Sequence, residues 1–262
     1  MHTDHKSTAP AWSTLLSEAV TKPGLMLQAY NAFHSYSVGN QLLAIVQLGA
    51  RGLPAAPINT YPGWLSKGRQ VKKGEKALVL CQPVTFKDKV DPEVRRLGFM
   101  YKARWFALSQ TEGEDIAPPV IPAWSKIDAL FELDIEQIPF DLSDGNMQGF
   151  ARKRQLAINP LAALPHKTLF HELAHIVLGH TAEAEFADTE RTPKSLREAE
   201  AESVALLCCE SLNLDGADYC RGYIQNWLAG ETIPDESARK IFRAADLILK
   251  AGAPAQEVEA AR

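Results

Sequence analysis

Two histidines and a glutamate in His171-Glu172-Leu173-Ala174-His175 have the types and spacing for hydrolytic chemistry around a metal ion. Residues four apart on an α-helix share a face, so His171 and His175 can grip one ion while Glu172 lies beside it as a base. The flanks read as a helix over 166–178. Thr168, Leu169, Phe170, Leu173, Ile176, Val177 and Leu178 form its apolar stripe, Pro165 fits its start and Gly179 its end. Short matches of this kind also occur in buried helices whose histidines are merely hydrogen-bonded, so the metal reading requires a third ligand.

Zinc held by two histidines of one helix takes one more protein ligand and keeps a position for water. A metzincin would place Gly at 178 and His at 181, whereas this chain has Leu178 and Thr181. His180, five residues beyond His175, falls off the shared face of a continuing helix. Carboxylates gather instead at the head of an apolar helical run, in Arg197-Glu198-Ala199-Glu200-Ala201-Glu202. Glu198 and Glu202 are four apart, so one can bind metal while the other orients a ligating histidine. Glu200 points about 160° away from both. Glu198 is therefore the favoured ligand and Glu202 its partner, with Glu200 competing and a solvated helix face as the ordinary alternative.

Such a site activates water: Glu172 takes its proton and a carbonyl, such as a peptide bond, is attacked. The donors suit Zn²⁺, though other divalent transition metals (iron, nickel, manganese) fill the same set. The enzyme class indicated is a zinc-dependent metallopeptidase. Upstream, residues 149–158 read as a strand that can pair with an extended substrate along its edge. Its basic tract, Arg152-Lys153-Arg154, serves equally as a solvated edge.

The elements that must position these residues lie in a 262-residue chain of globular composition, 46% hydrophobic. Net charge is only −4, but residues 1–112 carry 14 Lys+Arg against 7 Asp+Glu, and residues 113–262 carry 14 against 25. A basic nucleic-acid module joined to an acidic domain fits that asymmetry. Cys81, Cys208, Cys209 and Cys220 show no metal or disulfide spacing, and residues 1–10 are polar with no targeting pattern. A reduced, cytoplasmic chain follows, with no membrane partner, because no apolar run reaches the ~18–20 residues a span needs.

The charged and proline-rich stretch from Glu112 to Pro122 marks a connector. Upstream, helices are expected at Trp12 to Val20, Ser37 to Leu48 and near Trp64, with strands at Lys76 to Phe86 and Phe99 to Leu108. Downstream, helices near Leu196 to Leu212, Ala217 to Leu228 and Glu236 to Ala251 follow the metal helix, the last two as a cover on the metal domain.

Lys67, Arg69, Lys72, Lys73 and Lys76 fall within ten positions, beside Tyr61 and Trp64. Cations along a phosphate backbone, with rings available to bases, make a single-strand surface that demands no sequence. Tyr101, Lys102, Arg104, Trp105 and Phe106 repeat the mixture on a strand, where Tyr101 and Trp105 share parity. Buried tryptophans and solvated turn lysines are the ordinary alternative.

Three ordered segments carry a resemblance: Tyr36-Ser37-Val38-Gly39-Asn40-Gln41-Leu42-Leu43, then Trp64 through Lys76, then Phe106-Ala107-Leu108-Ser109-Gln110-Thr111-Glu112-Gly113. Together they resemble the N-terminal domain of ArdC-type antirestriction proteins, and also part of some plasmid primases. His171, Glu172 and His175 match that family's metal helix, and Glu198 through Glu202 its E-x-x-A-E segment, with the doubling at Glu200 a departure. The resemblance implies an α+β fold: a single-stranded-DNA-binding domain (1–112), a linker (113–125) and a zincin-like, gluzincin metallopeptidase domain (126–262). It implies protection of incoming plasmid DNA from host restriction, with single-stranded DNA as partner. Two alternatives are a DNA-localised metalloprotease acting on a protein substrate such as a restriction-system subunit or repressor, and a DNA-binding module with a structural metal.

Overall fold

A computed structural model describes residues 10–87, 95–141, 146–181, 193–228 and 231–254, so the expectation of an untargeted N-terminus falls almost wholly outside the described residues. The first part contains α1 (Trp12–Thr21), α2 (Leu25–Phe33), α3 (Val38–Ala50), β1 (Ile58–Thr60), α4 (Tyr61–Leu65), β2 (Arg69–Val71), β3 (Leu78–Lys87), β4 (Arg95–Ala107) and β5 (Thr111–Gly113). After it come α5 (Lys126–Glu132), β6 (Glu136–Gln137), β7 (Gly149–Arg152), β8 (Gln155–Ile158), α6 (Pro165–Val177), α7 (Lys194–Ser211), α8 (Ala217–Leu228) and α9 (Asp235–Ala251). The fold is the mixed α+β arrangement expected. None of its described helices is long and apolar enough to cross a membrane.

Three short sheets result. β1-β4-β3 and β2-β5 are antiparallel, while in β6-β8-β7 the β6 pairing is parallel and β7 is an edge. Three expectations are corrected here. Helix α2 was not anticipated, although its buried Met26, Ala29, Tyr30 and Phe33 have helical spacing. Residues 149–158 form the β7–β8 hairpin rather than one strand, because the chain reverses at Lys153, which adopts φ 52°. Gly113, assigned to the connector, pairs with Arg69 at the end of β5.

The β3 edge is closed by side chains. Gln47 accepts from Val79 N (2.9 Å) and donates to Val79 O (2.8 Å), while Asn40 accepts from Cys81 N (2.8 Å) and donates to Cys81 O (2.9 Å). Seven residues separate the two amides, so both project from one face of α3 and replace the ladder of a missing strand.

Helix α7 is the centre of the molecule, with every residue from 199 to 211 buried. It packs against α6, α8, α9 and, from the basic half, α2; α9 likewise packs against α1 and α3. Thus α9 does more than cover the half that carries α6, and one hydrophobic core runs through both halves. Polar contacts follow the same route. None of α1, α2 and α3 carries a side-chain cap of its own. Asp235 on α9 accepts from Ser13 N (3.1 Å), Glu210 on α7 from Gly24 N, and Asp246 on α9 from Val38 N (3.2 Å). Free N–H groups and the positive end of each helix dipole are met by carboxylates from the acidic half.

Candidate metal centre

Pro165 occupies the first turn of α6, where its missing N–H costs nothing. Thr168, Leu169, Phe170, Leu173, Ala174 and Ile176 are buried, which turns His171 and His175 toward the head of α7. Gly149 lets β7 approach: a Cβ there would stand 2.7 Å from Thr168 Cγ2 and 3.0 Å from Ala157 O. The result is a cavity of about 330 Å³ lined by Phe150, His171, Glu172, His175, Arg197 and Glu198, among others.

Three donor atoms converge in it. His171 Nε2 and His175 Nε2 are 3.1 Å apart, and Glu198 Oε2 lies 3.5 Å from the first and 3.6 Å from the second. Ligands of a tetrahedral ion with bonds near 2.0–2.1 Å stand about 3.3 Å from one another, so this triangle fits such an ion. Among the described residues, these are the histidines and carboxylate brought together in that way.

The surroundings favour a cation. Burial pushes the Glu172 carboxyl upward, against His171 and His175. Hydrogen bonding to His171 and His175 holds Glu198 well below the usual carboxylate range. Burial opposes charge on His171, yet Glu198 and Glu202 push it up to about 9. A site that draws a proton this strongly draws a divalent ion by the same electrostatics.

Each histidine is braced differently. His171 Nδ1 stands 3.2 Å from Glu202 Oε1, which Lys167 also approaches as a donor. His175 Nδ1 stands 3.0 Å from His180 Nδ1, and His180 Nε2 stands 3.0 Å from Glu200 Oε2. With an ion held at Nε2 of His175, its proton would lie on Nδ1 and be donated to His180, whose own Nε2–H would go to Glu200. His180, set aside because a continuing helix would carry it away, is returned by the helix ending. Gly179 at φ 80° lets its N–H reach Ile176 O (3.1 Å) and His180 N–H reach His175 O (2.8 Å). That six-to-one closure sets the residue after the glycine against the one five before it. The signal, a glycine followed by histidine, was present in the sequence. Lys167 was missed because no spacing rule relates it to Glu202.

Residues 6–115 match the family model described as the N-terminal domain of anti-restriction factor ArdC, and residues 130–209 match the IrrE N-terminal-like domain of peptidase family M78. The chain thus joins an ArdC-type N-terminal domain to an IrrE-like peptidase domain. Two crystal structures of the antirestriction ArdC protein from plasmid R388 share its fold. The metal-free form is 19% identical, covers 92% of this chain and 94% of its own, and has a TM-score of 0.54. The Mn(II)-bound form is 18% identical, covers 94% and 99%, and has a TM-score of 0.56. No curated protein matches the sequence. The metallopeptidase-like domain, with its histidine and carboxylate donors, suits a divalent metal.

In the ArdC-type N-terminal half, the basic tract behaves differently from the metal motif. Lys67, Lys72, Lys73, Lys76 and Tyr61 are exposed. Trp64 is only 2% exposed and its Nε1 donates to Phe106 O at 2.8 Å, so its ring is part of the interior and unavailable for stacking. Arg69 spends its guanidinium on Thr111 Oγ1 (2.8 Å), Thr111 O (3.1 Å), Gly113 O (3.1 Å) and Glu114 O, tying β2 to β5. Tyr101 and Trp105 do not share a face: the register shift at Leu78/Val79 pairs Trp105 with Leu78 and Tyr101 with Cys81, which point to opposite sides.

Proposed function

We propose that this ArdC-type protein binds single-stranded DNA through its basic half and carries a zinc metallopeptidase-type site, protecting incoming plasmid DNA from host restriction. The observation that carries the peptidase part is the triangle of His171, His175 and Glu198 with Glu172 beside it. These three residues would hold the ion, which when bound supplies Lewis acidity toward a carbonyl and toward water. Glu172, with its affinity for protons raised by burial, accepts the proton of the attacking water and returns it to the leaving amine. The open edge of β7 offers Gly149–Arg152 to an extended peptide, whose backbone would extend the β6-β8-β7 sheet across the cavity. Lys67, Lys72, Lys73 and Lys76 meet phosphates, and Tyr61 lies among them.

Plasmid transfer into restricting and non-restricting hosts tests the assignment. Lys72→Ala/Lys73→Ala should lose protection in the restricting host, while Glu172→Gln keeps both metal and protection. Loss of protection by Glu172→Gln alone would transfer the function to proteolysis. Protection by both variants at the wild-type level would remove DNA binding from the mechanism.

A further inference from the structure

The β3–β4 ribbon outgrows its sheet. At its base Leu78, Leu80, Trp105 and Ala107 are buried and β1 pairs with residues 105–107 of β4. Beyond that point, among the described residues, β3 and β4 pair only with each other, out to Lys87 and Arg95. Large apolar side chains stand in solvent there. Leu97 is 68% and Phe99 70% exposed, on the same face as the half-exposed Tyr101, and Phe86 and Met100 are exposed on the other. Phe86 is seated rather than loose: its ring lies where a side chain on Gly98 would be, 2.5 Å from the position of that Cβ. Gly98 therefore supplies the flat bed on which the ring rests.

Exposed rings and branched chains at the end of a lone two-stranded ribbon are an aggregation hazard unless something covers them. Charge identifies the cover. Neither strand contains Asp or Glu, and between them they carry Lys87, Arg95, Arg96, Lys102 and Arg104. Asp88, Asp91 and Glu93 lie between the strands in sequence, outside the described residues, so the cations that matter are Lys102 and Arg104, nearer the base. Lys76, the last lysine of the basic tract, is two residues before β3 begins. A polyanion following the tract runs onto the ribbon without crossing a described acidic side chain of either strand.

We propose that the distal β3–β4 ribbon is the base-binding platform for single-stranded nucleic acid, with Leu97 and Phe99 packing on unstacked bases while the tract lysines, Lys102 and Arg104 hold phosphates. This rests on the single-strand reading above and relocates its base contacts from Trp64, whose ring is buried. A duplex hides its base faces from such a platform; a single strand presents them.

Full-length protein is titrated into labelled oligo-dT and into an abasic strand of equal length. Wild type should bind oligo-dT about tenfold or more tightly than the abasic strand, the scale expected when even one base stacks. Leu97→Ser/Phe99→Ser should bind oligo-dT no better than the abasic strand, with salt dependence unchanged. Lys102→Ala/Arg104→Ala should weaken binding to both strands and flatten the logarithmic salt slope by about one unit. Leu97, Phe99 and Arg104 are exposed and Lys102 is half-buried, and thermal unfolding checks that the fold is kept. Wild-type affinity in Leu97→Ser/Phe99→Ser, alongside weakening in Lys72→Ala/Lys73→Ala, overturns the platform and leaves single-strand binding standing. A change in molar mass by light scattering, with oligo-dT affinity intact, would show the ribbon holding a second copy instead. No binding of either strand by wild type removes the underlying reading as well.

Discussion

The C-terminal half of α6 and the tract between β1 and β3 both drew attention for their residue types, and the fold treats them in opposite ways. His171, His175 and Glu198 meet as three donors around one point. Trp64 and Arg69, equally suggestive on paper, are absorbed into the scaffold. The difference is one of constraint. Metal ligation imposes distances that only certain spacings on helices satisfy, so a match carries geometric information. Aromatic and basic residues near each other satisfy no comparable condition, because a buried tryptophan and a stacking tryptophan have the same one-letter neighbours.

The most severe way to break this comparison is at the ligands. Purified protein should hold about one zinc-like ion per chain, lost in His175→Ala and in Glu198→Ala but kept in Glu172→Gln, by elemental analysis. Retention of metal by Glu198→Ala, with loss in Glu200→Ala, would move the third ligand to Glu200. The other side is broken by Trp64→Ala. As an interior residue its loss should cost about 3–5 kcal/mol in urea unfolding; a fall of DNA affinity at unchanged stability would restore it as a stacking ring.

A subtler test sharpens the metal side. His180→Leu removes the acceptor for His175 Nδ1–H and should lower metal affinity about 10–100-fold, with the metal-free protein almost as stable as wild type. Glu200→Gln keeps an oxygen for His180 Nε2–H and should lose little. Equal affinity in His180→Leu and wild type, by competition with a chelator, would reduce the His175–His180–Glu200 chain to packing. The smallest effect concerns the join between the halves: Asp246→Ala should destabilise the protein by about 1 kcal/mol, the usual worth of a helix cap, and Asp246→Asn should recover most of it.

Periodic features were legible in advance. The metal helix, the glutamate run with Glu198 and Glu202 on one face, and most helices and long strands lie within a few residues of expectation, because burial imposes a repeat on the sequence. What escaped depends on chain reversals or on partners far away. Lys153 at positive φ splits one strand into two, Gly179 brings His180 under His175, and an irregularity opposite Leu78 turns Trp105 inward. Asn40 and Gln110 both lie in the segments that carry the resemblance, and their spacing announces no structural role. In the fold, Asn40 closes the β3 edge, and Gln110 accepts from Ala107 N and donates to Glu75 and Lys76 O.

The carboxylates at the starts of α1, α2 and α3 also govern when the chain can finish folding. Asp235, Glu210 and Asp246 are synthesised 186 to 222 residues after the backbone N–H groups they receive. At ribosomal speeds of about 5–20 residues per second, the first three helices wait on the order of ten seconds or more for them. Throughout that interval the apolar faces that later rest on α7 and α9 have no permanent neighbour. Translation pausing before α7, or a nonsense codon upstream of residue 210, should therefore yield a nascent basic half that chaperones retain, rather than a free-standing DNA-binding fragment.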